Sequence, residues 1–288
     1  MNIQNECISC IFNQALRAAK SAGADPAATR QILDDVAGQI PGFSFQKTPP
    51  ETAVPVYASV AKWSGNPDPL GEAKAASTEE AGGYIPFVNR QIDQAEDPLH
   101  AALKAAVAGN VIDLGAQHRF DIGKEVETVF EMPFAIDDFQ AFARRFEEAK
   151  RVLVVGDNVG EHLFDKVMLE RFKGLKPDVE LFYAVRGVPI INDVTLKEAD
   201  EAGIDTVATV IDSGVDTPGL VLERANEAFK TLFDRVDLII AKGMGNFECL
   251  ESREDPRLFM LFKVKCDVVS QVLGVPAGAL VFKQGVPI

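Results

Sequence analysis

The chain has 288 residues, a net charge of −14 and a pI near 4.7, with apolar residues at 47% and charged residues at 25%. That composition is that of an ordinary globular protein, long enough for one large domain or two smaller ones. The excess of carboxylates repels phosphate backbones and speaks against nucleic-acid binding, and no apolar run approaches the roughly 20 residues that span a bilayer.

The start, MNIQNECISCIFNQAL, lacks a basic segment and places Glu6 ahead of a short apolar stretch, so it does not read as an export signal. A cytoplasmic location with four reduced cysteines is the expectation. Ile8, Phe12 and Leu16 then mark one stripe of a helix over residues 5–22. Asp25-Pro26 supplies a cap and a first-turn proline for a second helix reaching about Ile40. The prolines from Pro41 to Pro55 predict a connector, followed by helices over 55–63 and 79–94. Asp97-Pro98 opens another helix towards Ala108.

The second half changes period. Arg151–Asp157, Val179–Gly187, Thr206–Asp212 and Val236–Gly243 are short, almost wholly apolar runs, and Gly278–Lys283 adds a last one. Between them lie amphipathic stretches: 160–172, a Thr195-x-x-Glu198 capping box closed by Gly203, a helix over 219–233 capped by Thr217-Pro218, and 266–274. Strands alternating with helices, each strand apolar throughout, predict a parallel sheet covered on both faces.

The polar residues fall at corresponding places. Asp157-Asn158 ends the first strand, Asn192-Asp193 follows the second, Asp212-Ser213-Gly214 ends the third and Lys242-Gly243 ends the fourth. In a parallel sheet all of these lie at the carboxyl edge, where open α/β folds bind ligands. Asp157, Asn158 and Asp193 together offer hard oxygen donors suited to Mg²⁺ or Mn²⁺ more than to zinc. A metal so held can polarise a phosphoryl group, with Lys242 as the complementary positive charge. Each piece also has a plainer reading: Asp-Asn as a helix cap, Asn-Asp as a turn ahead of Thr195, Lys-Gly as a strand end.

The stretches GDNVGEHLFDKVMLERF, RGVPIINDVTLKEADEAGI, DLIIAKGMGNFECL and FKVKCDVV resemble, in order and over nearly the whole chain, those of the damage-control phosphatases, also known as domain of unknown function 89. The N-terminal CISCIFNQAL resembles the start of the compact prokaryotic subgroup with its CxxC, and GNPDPLGEAK and AVAGNVIDLG resemble two further blocks. Leu70 stands in the first of these where an aromatic is more usual.

The resemblance implies an N-terminal helical domain (1–95) and a three-layer α/β/α domain with a mostly parallel sheet (96–288). It implies a phosphatase of small phosphorylated metabolites that uses a divalent cation: Mn²⁺, Mg²⁺, Co²⁺ or Ni²⁺. Its metal ligands would be Asp157, Asn158 and Asp193, and its substrate contacts would include Lys242, Gly243 and Asn246. Asn110 and Asp113 are further candidates for the cleft roof. Asp157 would attack phosphorus, or would bind the metal while a coordinated water attacks; Glu161, one turn away, would orient the water or substrate, or serve only the helix dipole.

Cys7, Cys10 and Gln14 share a helix face, with buried packing, a metal site or a redox pair as alternatives. His100, His118 and His162 show no zinc-hydrolase spacing, and neither GxSxG nor a P-loop occurs. Two other functions remain in view. One is an S-adenosylmethionine-dependent carboxyl methyltransferase, against which stands a loop after the first strand with only Gly156 and Gly160. The other is a non-catalytic metal- or redox-binding protein built on the CxxC. The oligomeric state is left open.

Overall fold

The computed structural model describes residues 1–109 and 122–286; Asn110 and Asp113 lie outside them. Three helices come first. α1 (Asn5–Ser21) buries Ile11, Ala15, Ala18 and Ala19, and α2 (Pro26–Gln39) is capped by the Asp25 carboxylate, which accepts from Ala28 N. α3 runs Pro49–Ser64, so it begins at Pro49 and not at Pro55. The cause is a reciprocal cap: Glu51 N donates to Thr48 Oγ1 while Thr48 N donates to Glu51 Oε2. Two prolines are tolerated in that first turn because their missing N–H groups have no helical partner there. These helices share an apolar cluster of their own, joined by Ile190.

α4 (Gly71–Gln94) starts earlier than its apolar pattern predicts, and α5 (Pro98–Ala108) is capped by Asp97 as expected. Then follow α6 (Ile122–Glu131), β1 (Phe134–Asp137), α7 (Phe139–Glu148), β2 (Arg151–Val155), α8 (Glu161–Leu175), β3 (Glu180–Val185), α9 (Leu196–Glu201) and β4 (Thr209–Asp212). The chain ends with α10 (Glu227–Arg235), β5 (Leu238–Lys242), α11 (Gly243–Leu250), β6 (Asp255–Lys263), α12 (Asp267–Leu273) and β7 (Leu280–Gly285).

Among the described residues the strands form one seven-stranded sheet in the order β1-β7-β6-β5-β2-β3-β4. β2 to β6 are mutually parallel; β7 pairs antiparallel with β6, and β1 runs parallel to β7. Alternate residues feed opposite faces. Val152 and Val154 of β2 join the core beneath α4, α5, α7 and α8, while Leu153 and Val155 join the core beneath α10, α11 and α12. This is the three-layer architecture expected, with both sheet faces buried.

Two strands, β1 and β6, were not anticipated. Between Thr217 and Asn226 the expected helix does not form; α10 begins at Glu227, capped by the Asn226 side chain on Phe229 N. The segment before it is held otherwise. Thr217 Oγ1 donates to Gly219 O, and Gly219 lies so close to Gly245 that a side chain there would collide.

The order β5-β2-β3 defines where a site can lie. The chain fills β2, β3 and β4 to one side and then returns to place β5 on the other side of β2. The connections leaving β2 and β5 therefore diverge and open a crevice at the carboxyl ends of these two strands.

Candidate active site

Asp157 sits in that crevice, directly after β2. The loops after β2 and β3 are zipped together: Val194 N donates to Asp157 O at 2.9 Å, Val159 N to Asn192 O at 2.8 Å, and Asn158 forms an antiparallel bridge with Asp193. Asp157, Asn158 and Asp193 are thereby brought side by side. Asn158 Nδ2 donates to Asp157 Oδ2 at 3.0 Å, which leaves the amide oxygen for another partner. Ile191, two residues before Asp193, has φ +47°, a left-handed conformation that a β-branched side chain rarely adopts.

Asp157, Asn158 and Asp193 form the floor of a cavity of about 450 Å³. Its walls come from α1 (Cys7, Cys10, Gln14), the start of α3, the Met244-Gly245-Glu248 side of α11 and the Lys265-Cys266 corner after β6. The first helices thus roof the crevice that the sheet opens.

Beneath this floor lies a second set of charges. Lys242, fully buried, donates from Nζ to Glu161 Oε1 at 2.7 Å, Asp165 Oδ1 at 2.6 Å and Ala106 O at 3.0 Å. Tyr183 OH donates to Asp165 Oδ2 at 2.9 Å. Burial pulls the lysine pKa down, but Asp165 and Glu161 more than reverse this and leave it raised. Its three N–H groups are used within the protein. The expected contact between Lys242 and a phosphate therefore has no geometry to carry it.

Asn246 is equally committed. It donates to Gly156 O and Lys242 O and accepts from Leu220 N and Arg186 Nη2. Gly243 has φ +79° and lies against Asp157, where any Cβ would overlap the carboxylate. Lys242, Gly243 and Asn246 thus support the floor, while Met244, Gly245 and Glu248 of the same block face the cavity. Glu161, 1% exposed, also lies below the floor and acts on Asp157 through its charge.

The sequence reading passed over three residues. Arg186, directly after β3, places Nε 2.7 Å from Asp193 Oδ2 and Nη2 3.9 Å from Asp157 Oδ1. Asp165 stands four residues from Glu161, on the same face of α8. Lys265 lines the cavity and favours the charged form of Asp157. All three stood inside recognised blocks, RGVPIIND, GDNVGEHLFDKVMLERF and FKVKCD, but no spacing distinguishes them from surface charges.

The charges do not balance. Asp157, Glu161, Asp165 and Asp193 are four buried carboxylates, against Arg186 and Lys242 as the buried cations among them. The formal surplus is two negative charges, one on the floor, with Asp157 and Asp193 against Arg186, and one beneath it, with Glu161 and Asp165 against Lys242. Burial, then Asp193 and Glu161, pushes the Asp157 pKa well above the carboxylate range, with Arg186 and Lys265 opposing. Burial likewise raises Asp193 against the pull of Arg186, and raises Asp165 to about 6. A divalent cation at Asp157, Asn158 and Asp193 would cancel this surplus, and oxygen donors suit Mg²⁺ or Mn²⁺. Among the described residues no three His, Cys, Asp or Glu side chains are placed to hold a metal. A donor set built on Asp157 and Asp193 would therefore have to draw in another kind of oxygen, such as the Asn158 amide.

The cysteines Cys7, Cys10, Cys249 and Cys266 are free thiols, and burial raises Cys7 and Cys266 above their ordinary pKa. No helix among the described residues is long and apolar enough to cross a membrane.

Comparison with known proteins covers nearly the whole chain. The model of the damage-control phosphatase ARMT1-like domain matches residues 3–281. The damage-control phosphatase PH1575 of Pyrococcus horikoshii is 33% identical, over 98% of this chain and 97% of that protein. A damage-control phosphatase of Archaeoglobus fulgidus is 27% identical, over 98% and 99%. The crystal structure of the Pyrococcus horikoshii DUF89 family protein superposes with a TM-score of 0.90 at 32% identity, covering 99% of each chain.

Proposed function

This chain belongs to the damage-control phosphatase ARMT1-like family, and from that premise we propose that the crevice at Asp157 is where it hydrolyses phosphate monoesters of small metabolites. It is a metal-dependent phosphatase. The methyltransferase alternative is not favoured, since the relatives are named phosphatases. The observation that carries the assignment is the pair of buried carboxylates, Asp157 and Asp193, that share one guanidinium on the floor of a cavity large enough for a small metabolite.

In this reading Asp157, Asn158 and Asp193 hold the divalent cation, which neutralises charge on the phosphoryl oxygens. Asp157 has the direct chemical role: its carboxylate faces the cavity with Gly243 keeping the space behind it clear. Lys265, on the cavity wall, takes the place first expected for Lys242 as the cation facing the phosphate. Lys242, Glu161 and Asn246 support Asp157 from below. Asn110 and Asp113 stay as candidates for the cleft roof.

In the same reading α1–α3 roof the cavity, and α4, whose Ala81, Val88 and Ile92 pack in the core over the sheet, goes with the catalytic α/β/α part, so the boundary expected at residue 95 moves to before Gly71. This reading assigns the CxxC of Cys7 and Cys10 to the compact prokaryotic subgroup and places the protein in the cytoplasm. Mn²⁺, Mg²⁺, Co²⁺ and Ni²⁺ are the candidate cofactors. The test is hydrolysis of p-nitrophenyl phosphate and a panel of sugar phosphates with each cation, before and after chelation. Activity that appears only with a divalent cation and vanishes in Asp157→Ala supports the assignment. Inactivity with every cation, or unchanged turnover in Asp157→Ala, overturns it.

A further inference from the structure

Arg186 is 1% exposed, yet among the described residues it is the one guanidinium that reaches both carboxylates of the floor. Its backbone is pinned by donation from N to Val194 O at 2.9 Å and by a parallel bridge to Thr195. Its fork has three ends. Nε meets Asp193 Oδ2, Nη2 meets Asn246 Oδ1 at 3.1 Å and stands 3.9 Å from Asp157 Oδ1, and Nη1 has no hydrogen-bond partner among the described residues. Asn246 is itself fixed by Leu220 N, Gly156 O and Lys242 O, so the plane of the fork is set from behind.

A buried guanidinium with an idle donor is unusual, because each unmade bond costs free energy. For packing and neutralisation alone, a cation bonded through every N–H would serve better. The fork here is instead turned edge-on to two carboxylates that would otherwise repel each other. A planar group with fixed donor angles sets the separation and orientation of two acids at once, which a point charge cannot do.

We infer that Arg186 is the positioning residue that holds Asp157 and Asp193 in the arrangement that receives the divalent cation. This rests on the reading of Asp157, Asn158 and Asp193 as the metal donors. It has an unusual consequence. By charge alone, a cation beside a metal site repels the metal, so Arg186→Gln should tighten binding. By positioning, the same substitution releases the carboxylates and weakens it. The two roles therefore differ in sign.

The experiment is calorimetric titration of Mn²⁺ into chelator-treated wild type, Arg186→Gln and Arg186→Lys, with circular dichroism as the check on folding. The expected result is a rise in the Mn²⁺ dissociation constant of about tenfold or more in both variants, the size typical of residues that orient metal ligands. Arg186→Lys keeps the charge and loses the fork, so it carries the test if Arg186→Gln does not fold. In Arg186→Lys, turnover at saturating Mn²⁺ should recover much of its wild-type value, as expected if the defect lies in holding the metal. Equal or tighter Mn²⁺ binding in a folded variant overturns the inference while leaving the metal site standing. A wild-type protein that binds no Mn²⁺ overturns both.

Discussion

Two buried charge clusters lie one above the other at the carboxyl ends of β2, β3 and β5, and they are built on opposite terms. In the lower one, Lys242 spends its N–H groups on Glu161, Asp165 and Ala106 O, and Tyr183 completes Asp165. In the upper one, Asp157 and Asp193 share a single guanidinium, Arg186 keeps an idle nitrogen, and the group faces a cavity. The lower cluster is complete within the protein. The upper one has the same count of two carboxylates to one cation but leaves part of its hydrogen-bonding capacity unused beside the cavity. A buried ionic group whose partners are all supplied belongs to the scaffold, while one that lacks partners marks where something else must bind.

The comparison breaks most visibly in turnover. Asp157→Ala should lower kcat by about 10³-fold or more while leaving the unfolding transition cooperative, because it removes the group proposed to meet the substrate and relieves crowding among the carboxylates. Steady-state kinetics beside thermal unfolding would show the split. Lys242→Met should do the reverse in kind. It strands Glu161 and Asp165 without their counter-ion and should cost about 3–5 kcal/mol of stability, seen as a lowered denaturation midpoint. A Lys242→Met protein as stable as wild type, but with a raised KM, would return Lys242 to the substrate.

Gly243→Ala joins the two clusters, since the new methyl would meet the Asp157 carboxylate at a backbone with φ +79°. A loss of about 1–3 kcal/mol from the left-handed strain is expected, together with weaker Mn²⁺ binding, both measurable by unfolding with and without metal. The smallest effect is in pH dependence. Burial raises Asp165 to about 6 in the folded state, above its unfolded value. The folded protein therefore holds this proton more tightly between about pH 4 and 6. Its contribution to stability is present below that window and is lost as pH rises through 6. Wild type measured against Asp165→Asn should accordingly lose relative stability from pH 4 to pH 6, read from urea midpoints.

Much of this frame was legible from residue order. Continuous apolar runs ending in Asp157, Gly187, Asp212 and Lys242 placed four strands and their shared edge, because a parallel strand buried on both faces leaves that pattern. Asp25, Asp97 and Thr195 announced their helices through caps that the structure retains. The α10 boundary was not legible, since Thr217-Pro218 looks like a cap but its hydroxyl bonds Gly219 O. β1 and β6 were missed: β1 is four residues long, and β6 directly follows α11 in the loop-like segment ESREDPR.

Within the site, Asp157, Asn158 and Asp193 were visible as strand-end polar residues. Whether a strand-end lysine points into the crevice or beneath it depends on packing partners far away in sequence, as with Ala106 and Lys242. That placement could not be read from the chain. For the same reason Arg186, which looks like an ordinary strand-end charge, was passed over.

In the proposed function the upper cluster is a divalent-metal site. The most direct measurement is a crystal grown with Mn²⁺ and examined at the manganese absorption edge. One strong anomalous peak is expected within roughly 2.0–2.3 Å of Asp157, Asn158 and Asp193 oxygens. A peak at Cys7, Cys10 and Cys266 with none at Asp157, or no peak at all from protein that hydrolyses phosphate esters, would contradict it.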